Sequence, residues 1–473
     1  MENLLSQSDI NKGLRYSIID GIFANLFGTL TGGIFLISFA LYIGANELQI
    51  GLIASIPLLA NSAQLLSSYI IEKTRKRREV SIGFSGIARG IWILIVFSLL
   101  LYSQPEKPSY LISFVIIIIA ISYVSASISV VSWLSWMSDL VKEDIRGRYF
   151  SKRNIMCGIA GLLVTLLGGR FLDYWKINYE GNLNNGFIFI FLAALFFGLI
   201  SIVFLKKIPE PPFTVQRERI SFFKGISLPL KDPNFKRYIF FTAFWSFSVH
   251  FVSPFFTVYM IQDLKLSYTL ISEMAIISIL ADIVGMRLWG ILSDRYGNKP
   301  VILFNGYIAS FIPFLWIFIT RESIGFLILV HLTAGFFWAG LNLCTSNLLL
   351  RLSPKEHKSI YISYFNAIGG LIAAIAPIIG GMAAQYFSQW RVEILSFEIY
   401  RLHFVFLISF LLRLISISYF NNIKEPAEVP VSKMMRVIRN IRGLNTLMGF
   451  NHLHHYFIEV KRKMARRNNS EMH

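Results

Sequence analysis

Residues 187–205 read Phe-Ile-Phe-Ile-Phe-Leu-Ala-Ala-Leu-Phe-Phe-Gly-Leu-Ile-Ser-Ile-Val-Phe-Leu. The stretch carries no charge, and as a helix rising 1.5 Å per residue it reaches about 28 Å, the depth of a bilayer's hydrocarbon core. It is one of twelve such runs: Ser17–Ile43, Leu48–Ile71, Val80–Tyr102, Tyr110–Leu140, Asn154–Leu172, Phe187–Leu205, Tyr238–Ile261, Leu270–Leu292, Pro300–Ile319, Ser323–Leu350, Ile360–Phe387 and Leu402–Phe420. The composition agrees. Of 473 residues 55% are hydrophobic and only 15% charged, against about 25% charged in soluble domains. Apolar side chains would cover the outside of a soluble fold of this make-up, and a bilayer removes that cost. Met1–Arg15 is polar and carries no secretory signal pattern.

The connectors are short except Lys206–Arg237, at the midpoint, and a basic tail, Asn421–His473, follows the last run. The expected organisation is a cytoplasmic segment (1–16), a six-helix half (17–205), a cytoplasmic linker (206–237), a second six-helix half (238–420) and an amphipathic cytoplasmic tail (421–473). The expected fold class is an all-α integral membrane protein of twelve transmembrane helices, arranged as two pseudo-symmetric six-helix bundles. The net charge of +18 is distributed by topology. With the N-terminus inside, the short inner segments hold seventeen Lys and Arg and the outer ones seven. Cytoplasmic loops retain basic residues, so both termini are expected inside a plasma (inner) membrane. The charge then needs no nucleic-acid partner. In the tail, Met434, Val437, Ile438, Ile441, Leu444 and Met448 form an apolar stripe among basic residues, suited to an anionic inner leaflet. Cys157 and Cys344 lie in separate apolar runs and read as small core residues.

The halves repeat. Tyr149, Ser151, Asn154, Gly158, Gly168 and Gly169 recur 212 positions later as Tyr361, Ser363, Asn366, Gly370, Gly380 and Gly381. Both copies run in the same direction, as in a parallel repeat of two halves.

The loop after the eighth run reads Gly290-Ile-Leu-Ser-Asp294-Arg295-Tyr-Gly297-Asn-Lys299. Gly297 suits a turn conformation closed to most residues, and Asp294 suits the N-terminus of a neighbouring helix. This loop resembles the G-x-x-x-D-R-x-G-R-K signature of the major facilitator superfamily. The first-half counterpart, Ser68-Tyr-Ile-Ile-Glu72-Lys73-Thr-Arg75-Lys76-Arg77, is degenerate: Ser68, Glu72 and Arg75 replace the glycine, aspartate and turn glycine. Asp139-Leu-Val-Lys142-Glu143-Asp144-Ile-Arg146-Gly147-Arg148-Tyr149 also resembles that family's charged inner loops, with Arg351–Lys358 as its second-half equivalent. The resemblance implies an inner gate of Gly290, Asp294, Arg295, Gly297, Lys299, Glu72, Lys73, Asp139, Arg146 and Arg148. In it Asp294 would face the start of span five near Ser151, and Glu72 the start of span eleven near Ser363. Ala376-Pro377-Ile-Ile-Gly380-Gly381 resembles an element that proton-coupled exporters of the family carry in span five; here it stands in span eleven and reads as a packing and kinking element.

Ionisable residues in hydrocarbon are costly and mark candidate sites. Asp282 and Arg287 share the eighth run, and Asp20 and Arg89 belong to the first three. Asp282, near mid-membrane depth, is the first candidate for a coupling or charge-binding site; Asp20 and Arg89 read as a structural ion pair. Asn25, Trp133, Trp136, His250, Trp338, Asn342 and Asn366 are the neutral or weakly basic candidates. Trp338 and Asn342, one turn apart, pair a stacking surface with an amide. HExxH, GxSxG and phosphate-loop patterns do not occur, and neither a metal site nor a cofactor is expected. The reading is a monomeric secondary transporter of a small solute, moved by alternating access and coupled to an ion (proton) gradient; the alternative is a transport-inactive sensor or scaffold on the same fold. The intact second-half loop favours the transporter.

Overall fold

The computed structural model describes residues 6–102, 108, 110–179, 183–212, 228–354, 357–394, 397–425 and 434. Helices stand at each of the twelve expected positions, and we number them segment one to segment twelve. They are Gln7–Leu30 with Gly33–Tyr42, Glu47–Ala60 with Gln64–Thr74, Arg77–Gly90 with Trp92–Leu101, Tyr110–Leu140, Glu143–Asn178 and Leu183–Lys206. The second six are Pro233–His250 with Ser253–Val258, Tyr268–Tyr296, Asn298–Trp316, Ile324–Leu352, Lys358–Tyr386 and Leu402–Tyr419. Among the described residues, ten segments are long and apolar enough to cross a membrane by length and composition. The exceptions are segment two, broken by a 3₁₀ turn at Asn61–Ala63, and segment nine, whose 19 residues include Asn298, Lys299, Asn305 and two prolines.

Local chemistry sets the ends and breaks. Asn46 and Gln49 form a reciprocal capping box at the start of segment two. The Asp232 carboxylate accepts from the Asn234 and Phe235 amides, with Pro233 in the first turn of segment seven. Segment one breaks at Thr31-Gly32-Gly33, where Gly33 takes φ +49°. Segment seven breaks just before Pro254, whose missing N–H ends the hydrogen-bond ladder. Large apolar residues such as Phe97, Leu101, Phe196, Leu199 and Val284 are exposed, which suits lipid and not water.

Packing follows one scheme twice. Segment one lies on five and six, three on four and six, and two on four. Segment seven lies on eleven and twelve, nine on ten and twelve, and eight on ten. Across the halves, segment two packs on eleven and segment five on eight. One expectation needs correction: the chain is not wholly helical. Arg391–Ile394 and Phe397–Tyr400 pair as two antiparallel strands between segments eleven and twelve. Alternating Val392, Ile394, Phe397 and Ile399 give this connector strand propensity that a search for long apolar runs passes over. The amphipathic tail stripe lies outside the described residues apart from Met434, which is buried.

Candidate functional site

The two halves meet at one end and part at the other. At the end opposite the midpoint linker, small residues let backbones touch. A side chain at Gly51 would collide with the Pro377 carbonyl, and one at Gly381 would lie 2.6 Å from the Glu47 carbonyl oxygen. One at Gly169 would collide with Ser272 and approach the Tyr268 carbonyl. Polar groups lock this contact. The Asp173 carboxylate, at the end of segment five, accepts from the backbone amides of Tyr268 (2.9 Å) and Thr269 (2.7 Å). Ser267 takes the next amide, Leu270, so three of segment eight's unpaired first-turn donors are satisfied, two of them from the other half. Arg401 donates to Glu47 (3.1 Å), Gln262 (3.0 Å) and Asp263 (2.7 Å), joining segment twelve to segments two and seven.

At the linker end the same repeat lies open. A Cβ at Gly158 or at its counterpart Gly370 would meet nothing within 4 Å. Ile155, Ile159 and Leu163 of segment five are exposed, and Gly147, Arg148, Ser151, Lys152, Ile155 and Met156 line a cavity there. The expected inner gate is not assembled in this conformation. Asp294, Arg295, Glu72, Lys73 and Arg148 are exposed. Among the described residues, no hydrogen bond or ion pair joins Asp294 to Ser151 or Glu72 to Ser363.

The loops are nonetheless built within each half. Gly297 has φ +89°, and Gly290 stands beside segment ten, near Leu343. Arg75, in the place of the turn glycine, adopts the left-handed conformation at φ 55°. Asp139 accepts from the buried Arg77 at 2.5 Å, and Arg146 donates to the Ser138 carbonyl at 3.0 Å. Two glutamates that the sequence reading missed organise these ends. Glu425 is buried and accepts from the Lys299 amide (2.7 Å), Asn298 Nδ2 (2.8 Å) and Arg351 (2.6 Å). Burial raises its pKa, but these three donors outweigh it and hold the carboxyl below its ordinary value. Glu210 accepts from the Arg78 amide at 3.3 Å. Each glutamate follows the last helix of its half and caps the third helix of the same half. The signal was present: Ile208-Pro-Glu210-Pro211 recurs as Ile423-Lys-Glu425-Pro426, 215 positions on.

The interior candidates separate into roles. Asn25 Nδ2 donates to the Cys157 carbonyl (2.6 Å) and ties segment one to segment five. Trp136 is fully buried and donates to the Pro209 carbonyl (2.9 Å). His250 Nδ1 lies 2.8 Å from the Ser246 carbonyl one turn back. Trp338 lies 6.0 Å from Trp245 and 5.8 Å from the Arg413 guanidinium. Asn342, Asn366 and Arg287 are exposed, and Trp338, one turn from Asn342, is half-buried. Asp282 is half-buried, with no hydrogen bond or ion pair among the described residues. Asp20 and Arg89 attract each other electrostatically, as expected of a pair, but without a direct contact among the described residues. Asp20 instead accepts from Ser201, while Arg89 and Asp20 share a cavity with Trp133 and Arg153.

Comparison with known proteins agrees with this architecture. The Major Facilitator Superfamily model matches residues 21–259 and 238–450. The crystal structure of the nucleoside transporter NupG (in a mutant form) is similar with TM-score 0.68 at 15% identity, covering 88% of this chain and 100% of that one. A D-xylose-proton symporter is similar with TM-score 0.62 at 16% identity, covering 90% and 99%. A bicyclomycin resistance protein homolog of Haemophilus influenzae is 29% identical over 107 residues, which is 23% of this chain. The match spans about a quarter (26%) of that curated relative. With the family model matched across both halves, this chain belongs to the Major Facilitator Superfamily and is a multi-pass membrane transporter, not an enzyme.

Proposed function

We propose that the protein is a monomeric secondary active transporter that moves a small solute by alternating access between two six-helix halves, residues 17–205 and 238–420. The observation that supports this most directly is the asymmetry of the interface between halves: closed through Asp173 and Arg401 at one end, open along segment five at the other. A rigid scaffold has no need of a seal at one end and a separate, unassembled gate at the other. In the alternate state Asp294 would meet the start of segment five, while Asp173 releases segment eight. The linker end is cytoplasmic in an inner membrane, following the excess of basic residues, and the tail lies on anionic lipid. Cysteines introduced at Glu106 or Ser388 are then labelled from outside and one at Ser221 is not; the reverse pattern overturns this orientation.

Asp282 is the coupling site of this reading, since an unpaired carboxylate within the membrane has few structural uses. The deciding experiment places spin labels at Lys152 and Arg295 in one variant and at Asn178 and Gln389 in another. Alternating access requires two populations whose distances change in opposite senses, shifting with pH or solute. A single unchanging population in both variants removes the reading and favours a scaffold.

A further inference from the structure

The cavity between segments one, three, four, five and six encloses about 340 Å³ and contains one carboxylate, Asp20, and two guanidiniums, Arg89 and Arg153. Two of these charges are occupied. Asp20 is held by the Ser201 hydroxyl. Arg153 donates to the Ser17 carbonyl at 3.2 Å and lies 4.3 Å over the Trp133 ring. Gly21 makes room for it, because any side chain there would run into that guanidinium at 2.6 Å. The third charge is only partly answered. Arg89 is attracted by the nearby Asp20 carboxylate, but its Nη1 is a buried donor with no acceptor among the described residues, and so is Trp133 Nε1. Both side chains line the same cavity.

Orphaned buried donors are rare because each forfeits its hydration without return. Two in one cavity, beside an excess of one positive charge, suit a singly charged acceptor. The rest of the wall carries the apolar Phe27, Trp92 and Val130 beside six hydroxyls, of which those of Thr31, Ser81, Ser85, Ser122 and Ser129 are bonded within the protein. A volume near 340 Å³ is at the small end of ligand pockets. The second half repeats the sign of this charge. Arg413, 2% exposed, donates to the Ala309 carbonyl at 3.0 Å and has no carboxylate partner among the described residues.

We propose that the transported solute is a small monocarboxylate with an apolar body, its carboxylate received by Arg89 and the indole N–H of Trp133. The inference rests on the transport reading above for its physiological meaning, but binding tests it without flux. A fork of guanidinium donors suits a planar carboxylate, and the ring of Trp133 suits the body behind it.

The test uses purified full-length protein and a panel of monocarboxylates from acetate through octanoate to benzoate and phenylacetate, each with its neutral amide and, where it exists, its amine. Thermal shift and calorimetry should find at least one carboxylate that binds while its amide and amine do not. Arg89→Gln should weaken that binding by at least about tenfold. Trp133→Phe, which keeps the ring and removes the donor, should weaken it several-fold, and Arg89→Lys should retain part of it. If no carboxylate in the panel binds, if the amides or amines bind equally, or if Arg89→Gln binds as the parent does, the assignment is wrong. Arg89→Lys guards against misfolding: loss of binding in Arg89→Gln counts only when Arg89→Lys unfolds at the parental temperature and binds. Liposome flux separates the two readings. Specific binding without flux overturns transport and leaves the pocket standing, whereas flux confined to neutral solutes overturns the pocket and leaves transport standing.

Discussion

Asp173 is the residue through which the closed end is most directly tested. Its two oxygens take the first two amides of segment eight, at 2.9 and 2.7 Å, and the carboxylate belongs to the opposite half. Replacing an N-capping carboxylate by alanine costs about 0.5–2 kcal/mol, and the charge at a helix N-terminus contributes up to ~2 kcal/mol when partly buried. Water satisfies the released amides in the open state, so the two effects overlap, and about 2 kcal/mol is a reasonable net. At 1.4 kcal/mol per decade, Asp173→Ala should move the closed-to-open ratio at this end about 30-fold toward open. Asp173→Asn keeps an acceptor and loses the charge, and should fall between. The reporter is Ser272→Cys, a position fully buried beneath Gly169 in the seal, in a Cys157→Ser, Cys344→Ala background. A membrane-impermeant maleimide should label it slowly in the parent and at least about tenfold faster with Asp173→Ala. An unchanged labelling rate in a variant of parental thermal stability would refute the seal.

Glu425→Gln should destabilise the protein by about 1–3 kcal/mol, because it weakens a buried network whose exposed member, Arg351, is screened by solvent. The lowered pKa of Glu425 fixes the sign with pH: its contribution is complete above the unfolded carboxyl value and disappears as pH falls through the lower folded value. Melting curves between about pH 3 and 7 should therefore show a shallower acid loss in Glu425→Gln than in the parent; parallel curves contradict it. Arg75→Gly should stabilise by about 1 kcal/mol, since φ 55° strains any side chain there; a loss of stability in denaturant melts would mean that the Arg75 side chain matters more than its backbone. Asp282→Asn should abolish the pH dependence of flux while leaving the fold intact, and a parental pH profile in liposomes removes Asp282 as the coupling site.

Helix positions were legible because burial in lipid demands length and apolarity, both of which are local properties of sequence. Segment five illustrates the limit. Its apolar run suggested Asn154–Leu172, but the helix extends over Glu143–Asn178. The added turns are polar, and their end carries Asp173. A carboxylate beyond an apolar run looks like a solvated loop charge until the partner helix is in place. The same holds for Glu47, Asp263 and Arg401, which are separated by hundreds of residues and obey no common spacing. The Asp20–Arg89 pairing shows a related limit. The two charges do attract each other within one three-helix unit, but Ser201 of segment six makes the direct contact with the carboxylate, and sequence order does not say which neighbour arrives.

The repeat explains why the two ends of the interface differ in kind. Gly158 and Gly168-Gly169 stand on one helix, as Gly370 and Gly380-Gly381 do on its counterpart. At the closed end Gly169, Gly380 and Gly381 are pressed against backbone of the other half or of a neighbouring helix and Gly168 against the Phe35 and Leu30 side chains, whereas at the open end a side chain at Gly158 or Gly370 would meet nothing within 4 Å. A glycine costs helix stability of about 1 kcal/mol relative to alanine, so a glycine with open space beside it in both copies calls for a second conformation in which that cost is recovered. Gly158→Leu together with Gly370→Leu fills the space needed for that closure while leaving the present state untouched. The double variant should keep its melting temperature, should remain labelled at Ser151→Cys from the linker side under every condition, and should lose flux. If it transports like the parent, the open end never closes along these faces, and the rocking motion must run about some other contact.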